Sequence, residues 1–187
     1  MLMKTAREPG ATSAAIWQAE GDAVQSRLRE HGGPGVPEPR QLAGRSGLQI
    51  MQALLAGELP FPPMAQTLDV VLLEVGEGRA VFQGTPQWAH YNPFGTVHGG
   101  WYASLLDFAL GCAVQTTLAA GKAYTTGQLG VHIVRAATAA TGPLRAIGNA
   151  VHSGRQMATA EGRIVGADGK LYAHATTTCI VFDAAAR

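Results

Sequence analysis

Residues 98–118 read HGGWYASLLDFALGCAVQTTL and would place apolar side chains on nearly every side of a helix. Trp101, Leu105 and Phe108 are among them. A helix that is apolar all round is buried, because an exposed face would leave apolar surface in water. Gly121 is a typical end signal for such a helix. The sequence therefore predicts one long buried helix over about residues 98–118.

Strand-like segments lie on both sides of this helix. Before it, residues 68–75 and 79–84 are separated by Gly76-Glu77-Gly78, which predicts a hairpin. Four more segments follow the helix, at residues 124–134, 142–153, 156–165 and 170–182. The order β-β-α-β-β-β-β is typical of an α+β layer in which antiparallel strands pack on the helix. A doubly wound parallel sheet is excluded because strands and helices do not alternate in the second half.

The first part of the chain has a different pattern. Residues 1–12 are predicted to be a tail, and residues 14–29 show a weak helical periodicity. Residues 34–45 contain Pro and Gly and are interpreted as a linker. A second helix is predicted between Ser46, a typical N-cap, and Gly57.

The run Pro60-Phe61-Pro62-Pro63 marks the boundary to the strands. It is predicted to be extended, because proline lacks a backbone N–H and restricts the residue before it. We therefore expect a tail and helical extension over residues 1–59 and the main domain over residues 60–187.

Composition excludes several classes of function. The chain has 187 residues, of which 47% are hydrophobic and 14% charged, and its net charge is +1. This apolar content is too high for a disordered chain. A near-neutral chain is also a poor nonspecific binder of nucleic acids or membrane surfaces. Its weak charge repulsion makes self-association easier.

The two cysteines, Cys112 and Cys179, lie in apolar runs and have no metal-type spacing. They are interpreted as buried thiols of a reducing compartment. The N-terminus lacks the apolar region of a secretory signal, and no stretch reaches 18 uninterrupted apolar residues. We therefore expect a cytoplasmic protein.

Residues 92–100 read NPFGTVHGG and carry the clearest chemical signal. Gly99 and Gly100 at a helix start leave backbone N–H groups accessible, with the helix dipole behind them. Such groups stabilise the negative oxygen that forms when an acyl group is transferred. Asn92 adds an amide that can position a carbonyl or a water. A Gly-Gly pair alone is equally well explained as a helix-start turn.

Asp107 is unusual because it lies in mid-helix between Leu106 and Phe108. An unpaired carboxylate in apolar surroundings is costly, so it must be paired or line a cavity. A lone helical Asp is more often structural, and a lone His such as His98 is more often a core or capping residue. The combination of Asn92, the His-Gly-Gly sequence and Asp107 favours function, with Asp107 as a base or nucleophile.

These residues resemble the hotdog-fold acyl-CoA thioesterases, in the branch of phenylacetyl-CoA and aromatic acyl-CoA thioesterases. The family pattern is N-x-x-G-x-x-H-G-G, then an acidic residue seven positions later, then a strand that bears Thr or Ser and ends in Arg-Pro. The resemblance covers about residues 60–182. It implies a sheet wrapped around the long helix, and hydrolysis of an acyl-CoA to a carboxylic acid and CoA without metal or cofactor.

The resemblance also implies roles for individual residues. Asp107 would act as nucleophile or as general base for water, and the sequence leaves both open. Asn92 and Gly99 would bind the thioester carbonyl. Thr126, with Thr125 as second choice, would orient the water or the acid. His98 and Gly100 would support the turn at the helix start.

Coenzyme A carries phosphates, which need cationic partners. The resemblance places Arg135 and Arg155 near the CoA entry, although ordinary surface arginines explain them equally well. The sequence departs from the family pattern at Ala136, where Pro is common, and at Gln128, where an acidic residue is common. The second change alters the polarity of the substrate pocket.

Helix geometry predicts that one chain cannot complete the site. Gly99 and Asp107 are eight positions apart, which is about 12 Å along a helix. Both must reach the same thioester carbon, each within about 3 Å. Two antiparallel helices about a two-fold axis satisfy this requirement. We therefore expect a homodimer or a dimer of dimers. The resemblance implies the same arrangement, with Asn92 and Gly99 from one chain and Asp107 and Thr126 from its partner.

Two other functions stay open at this point: a hotdog-fold hydratase or dehydratase, and an acyl-CoA-binding protein without catalysis. A Ser-His-Asp hydrolase is disfavoured because no Gly-x-Ser-x-Gly sequence is present. The acyl group is also open, since Trp101, Tyr102 and Phe108 suit an aromatic or medium-chain acyl group and equally a plain core.

Overall fold

The structure is a computed structural model that describes residues 12–184. The strands are β1 Val70–Gly76, β2 Arg79–Gly84, β3 Lys122–Ile133, β4 Leu144–Ser153, β5 Met157–Gly166 and β6 Leu171–Asp183. The helices are α1 Ser13–His31, α2 Pro39–Leu42, α3 Gly47–Ala56, α4 Pro63–Thr67 and α5 Gly99–Thr116, with 3₁₀ turns at Trp88–His90 and Ala139–Thr141. The predicted order of strands around the long helix is confirmed.

The strands form one antiparallel sheet in the order β1-β2-β4-β5-β6-β3. Helix α5 lies along one face of the sheet and contacts all six strands. Leu105, Leu106 and Leu110 are completely buried in this contact. The sheet wrapped around a central helix is the hotdog arrangement, so the predicted fold class is confirmed.

Two glycines let the sheet approach the helix backbone. Gly148 of β4 and Gly162 of β5 are direct partners across the strands. A Cβ on Gly148 would lie 2.3 Å from the carbonyl oxygen of Ala109, and one on Gly162 would lie 2.8 Å from Cδ1 of Leu110. Any side chain here would push α5 away from the centre of the sheet.

Polar contacts bind the N-terminal helix α1 to the sheet. The buried Gln83 donates from Nε2 to the carbonyl of Trp17 (2.9 Å) and accepts from Nε of Arg145 (3.0 Å). Arg145 also lies over the Trp17 ring, 4.1 Å from its centroid, and pairs with Glu20. The predicted helical extension therefore packs on the sheet as a layer of its own.

Helix α3 begins and ends as expected. Ser46 caps its first turn and exchanges hydrogen bonds with Gln49, and Gly57 ends it in a left-handed conformation with φ of 80°. Met51, from the middle of α3, is buried in the main core. The extension thus contributes side chains to the core beside α5.

Two short helices differ from the sequence expectation. The proline run predicted to be extended ends in α4, which begins at Pro63 itself. Proline is well tolerated at the first helical position, where its N–H would have no helical partner. The predicted linker likewise contains α2, whose first turn is closed by reciprocal contacts between Glu38 and Gln41.

The predicted N-terminal tail, residues 1–12, lies outside the described residues except for Thr12, which caps α1. Among the helices of the described part, none has the length and apolarity that crossing a membrane requires.

Replacing Gly148 by Ala is expected to lower the free energy of unfolding by about 1–3 kcal/mol, the usual cost of overpacking a core. The new methyl group would meet the backbone of α5, which cannot move aside cheaply. Gly76→Ala is the matched control, because a Cβ there meets no atom within 4 Å. Urea unfolding of both variants measures the difference, and equal stabilities would contradict the close approach of sheet and helix.

Candidate active site

Asp107 lies in the third turn of α5 and is only partly buried in the single chain. Its Oδ1 accepts a hydrogen bond of 2.9 Å from the hydroxyl of Thr126 on β3. The carboxylate therefore has one fixed partner and a defined orientation. This contact joins two of the residues that the sequence singled out.

The strand geometry explains why Thr126, and not Thr125, makes this contact. Successive side chains on a strand point to opposite faces. Thr126 is opposite the buried Cys179 of β6, whereas Thr125 is opposite the exposed Ile180. The register shifts just after Thr126, where Gly127 forms a bulge. The structure thus brings Thr126 to Asp107 and points Thr125 away from it.

Asp107 opens into a cleft of about 300 Å³. The cleft is lined by Met64, Ala103, Ser104, Asp107, Phe108, Thr126 and Leu129. Apart from the carboxylate and two hydroxyl groups, these side chains are apolar. The cleft can therefore bind an apolar group beside a single negative charge.

Asn92 shapes the loop before α5. Its Oδ1 accepts from the N–H groups of Phe94 (2.9 Å) and Thr96 (3.3 Å), and its Nδ2 donates to the Thr96 hydroxyl (2.9 Å). Gly95 completes this turn with φ of 82°. An amide group has two N–H donors, so one donor of Asn92 remains beyond the bond to Thr96.

The start of α5 is capped by His98. Its side-chain Nδ1 accepts from the backbone N–H of Gly100 at 2.9 Å, and the backbone N–H of His98 donates to the carbonyl of His90. The N–H of Gly100 is therefore already hydrogen-bonded to the capping side chain. Gly99, the first residue of α5, has an N–H without a partner inside the helix. Of the glycine pair, Gly99 is thus the one whose N–H can meet a ligand.

A second opening, of about 340 Å³, contains Asn92 and Gly99. It is lined by Asn92, Thr96, Val97, Gly99, Tyr102, Ile133, Val134, Arg135 and Ala136. It shares no residue with the cleft at Asp107. Gly99 and Asp107 themselves are about two turns of α5 apart, which is about 12 Å along the helix. Within one chain, the predicted site residues therefore form two separate halves.

The two predicted CoA-binding arginines have different surroundings. Arg135 is exposed, lies at the opening that contains Gly99, and is held by the carbonyl of Leu171 (3.3 Å) and the ring of Tyr172. Arg155 is exposed in the turn between β4 and β5 and lines neither opening. The structure brings only Arg135 next to other predicted site residues.

The side chains behind Asp107 stay uncharged. Burial raises the pKa of the Cys112 thiol to about 12, and the charge of Asp107 adds to this increase. Burial likewise raises the pKa of the Tyr124 hydroxyl and of the Cys179 thiol. At neutral pH these groups therefore add no second negative charge beside the carboxylate.

Sequence reasoning missed four residues that line the cleft: Met64, Ala103, Ser104 and Leu129. Ser104 precedes Asp107 by three positions, so helical spacing alone places it on the same face and could have found it. Met64 belongs to α4, and no sequence signal pointed to it because that segment was expected to be extended.

A family model matches residues 94–173 of the chain, and its description is the thioesterase superfamily. The match includes Gly99, Asp107 and Thr126 and begins two residues after Asn92. No curated protein is a significant match.

Solved structures with the same fold include a phenylacetic acid degradation-related protein from Ralstonia eutropha JMP134. It is 33% identical, with a TM-score of 0.64 over 70% of this chain and 98% of that one. The PaaI protein of the E. coli phenylacetic acid degradation operon is 25% identical, with a TM-score of 0.58 over 64% and 83% of the two chains. A mutant of the phenylacetic acid degradation protein PaaI from Thermus thermophilus is 28% identical, with a TM-score of 0.57 over 63% and 97%.

Proposed function

The chain belongs to the thioesterase superfamily and is a thioester hydrolase, and from this premise we propose that it cleaves acyl-CoA thioesters to a carboxylic acid and CoA. The observation that carries this proposal is the carboxylate of Asp107, held by Thr126 at 2.9 Å beside a largely apolar cleft. A carboxylate in this position serves hydrolysis directly. It supports hydrolysis over dehydration and over binding without turnover.

Asp107 acts on the thioester carbon by one of two routes. As a nucleophile, one of its oxygens attacks the carbon, the C–S bond breaks, and CoA leaves as a thiolate that takes up a proton; water then hydrolyses the anhydride. As a general base, it takes a proton from a water that attacks the same carbon; the C–S bond then breaks, and the proton passes to the CoA thiolate that leaves. In both routes the Thr126 hydroxyl orients the carboxylate through Oδ1.

Both routes place negative charge on the thioester oxygen. The N–H of Gly99 at the start of α5, with the helix dipole behind it, is suited to stabilise that charge. The remaining N–H of Asn92 is a second donor in the same opening. His98 and Gly100 have a supporting role, since their mutual hydrogen bond fixes the first turn of the helix.

The active site is completed by a second copy of the chain. We call the opening with Asn92 and Gly99 the carbonyl-binding half and the cleft with Asp107 and Thr126 the carboxylate half. Gly99 and Asp107 lie about 12 Å apart along α5, which is too far for both to reach one thioester group. Two copies related by a two-fold axis bring the first half of one chain to the second half of the other. Trp88 and Phe94, near the carbonyl-binding half, are 81% and 90% exposed in the single chain, which favours burial by a partner.

Coenzyme A enters on the side of the carbonyl-binding half. Arg135 is the better placed of the two cations, because it lies at the same opening as Gly99. Its guanidinium can pair with a phosphate of CoA. Arg155 is supported by its exposure alone.

Replacing Asp107 by Asn is expected to reduce kcat by about 10²–10⁴-fold, the usual contribution of a general base. Thr126→Val should reduce kcat by a smaller factor, because it removes the hydrogen bond but keeps the carboxylate. Thr125→Val is the matched control and should leave kcat near the wild-type value, since Thr125 points away from Asp107. Thiol release from acyl-CoA measures all three variants. Wild-type turnover by Asp107→Asn would remove this residue from the mechanism.

Complementation tests whether two chains share the site. Asn92→Asp keeps the oxygen that holds the loop but loses the amide donor, and should lower kcat by roughly 10²–10³-fold. Mixing it with Asp107→Asn under subunit exchange gives dimers with one intact site and one doubly altered site. Each mixed dimer should regain about half of the wild-type activity. If mass spectrometry shows that the subunits have exchanged but no activity is recovered, the shared site is rejected.

A further inference from the structure

An apolar cavity lies between the N-terminal extension and the sheet. Leu28 of α1, Met51 and Leu54 of α3, and Phe61 line one side of it, and Phe82 of β2 lies on the other. Its volume is about 60 Å³. A lining this apolar offers little that would hold water, so an apolar occupant suits the cavity.

The side chain of Phe108 separates this cavity from the cleft at Asp107. Phe108 lines both spaces, and its ring stacks on Phe82 with the centroids 5.4 Å apart. Helix α4 forms the rest of the partition, since Met64 faces the cleft and its neighbour Ala65 faces the cavity. A change in the rotamer of Phe108 would connect the carboxylate to the cavity.

We propose that this cavity receives the acyl chain of the substrate, with Phe108 as the gate and the N-terminal extension as the wall that limits chain length. The inference rests on the proposed function, because it places the thioester carbon at Asp107. A chain that starts there and passes Phe108 enters a space that Leu54 and Met51 help to line. The residues of the cavity from α1, α3 and α4 lie outside residues 94–173, so this wall belongs to the part of the chain beyond the family match.

The size of the cavity favours a straight aliphatic chain over an aromatic ring. An engineered apolar cavity of about 150 Å³ in a protein core holds benzene. At about 60 Å³, the cavity is less than half that volume. A straight chain is thinner than a ring and enters by filling the space one methylene at a time. The cavity therefore fits a straight acyl chain of short to medium length better than an aromatic acyl group.

The test is a chain-length series of straight-chain acyl-CoAs, with benzoyl-CoA and phenylacetyl-CoA for comparison. We expect kcat/KM to rise about fourfold for each methylene until the cavity is full, and the aromatic substrates to be poorer. Leu54→Ala enlarges the cavity and should move the optimum to chains longer by about two or three carbons. Ala65→Leu narrows the cavity and should move it to shorter chains. Opposite shifts cannot come from a general loss of stability.

Leu55→Ala is the matched control, because Leu55 is the next residue of α3, packs against the core and does not line the cavity. It should leave the optimum unchanged. A flat profile, a preference for the aromatic substrates, or equal shifts in Leu54→Ala and Leu55→Ala would overturn the inference while leaving the proposed function intact.

If no acyl-CoA is hydrolysed, the proposed function fails, and a second measurement decides the inference. Straight-chain fatty acids of the same lengths should raise the Tm of the wild type, and Leu54→Ala should prefer the longer ones. A Tm that does not respond to fatty acids, or responds equally in the two proteins, would overturn the assignment of the cavity.

Discussion

The burial of α5 is the constraint on which the rest of the structure depends. The sheet covers most of the helix. It comes closest where Gly148 lies against the backbone of Ala109 and Gly162 lies against the side chain of Leu110. After the first turn, the residues that remain less buried form one stripe along the helix; they are Ala103, Ser104, Asp107, Phe108, Cys112 and Gln115. The extension covers the C-terminal part of this stripe, since the cavity beneath it includes Cys112. The part around Asp107 stays open, and the proposed function places the reaction there.

This arrangement accounts for a carboxylate in the middle of an apolar helix. Asp107 is not enclosed by the core, because it opens into a cleft, and the Thr126 hydroxyl satisfies one of its oxygens. The buried Cys112 thiol and Tyr124 hydroxyl near it stay neutral, because burial raises the pKa of each group. In the proposed mechanism, the same features that make the carboxylate tolerable also orient it beside the substrate.

Much of the fold could be predicted because the decisive signals are local. The all-round apolarity of residues 98–118, the glycine turns between strands and the Ser46 cap each depend on nearby residues alone. The separation of Gly99 from Asp107 could also be predicted, since helical rise is fixed. Helix α4 could not be predicted, because it begins at Pro63 and a run of prolines indicates an extended segment. The position of Met64 and the cavity behind Phe108 follow from how α4 and the extension pack, and no local pattern encodes that packing.

The central claim is that one thioester is held by two chains. A crystal structure with a non-hydrolysable acyl-CoA analogue tests it most directly. The account predicts that the carbonyl oxygen lies within about 3 Å of the Gly99 N–H of one protomer, while Asp107 of its partner faces the carbonyl carbon. A carbonyl group contacted by Gly99 and Asp107 of the same protomer, or bound at neither, would contradict the account.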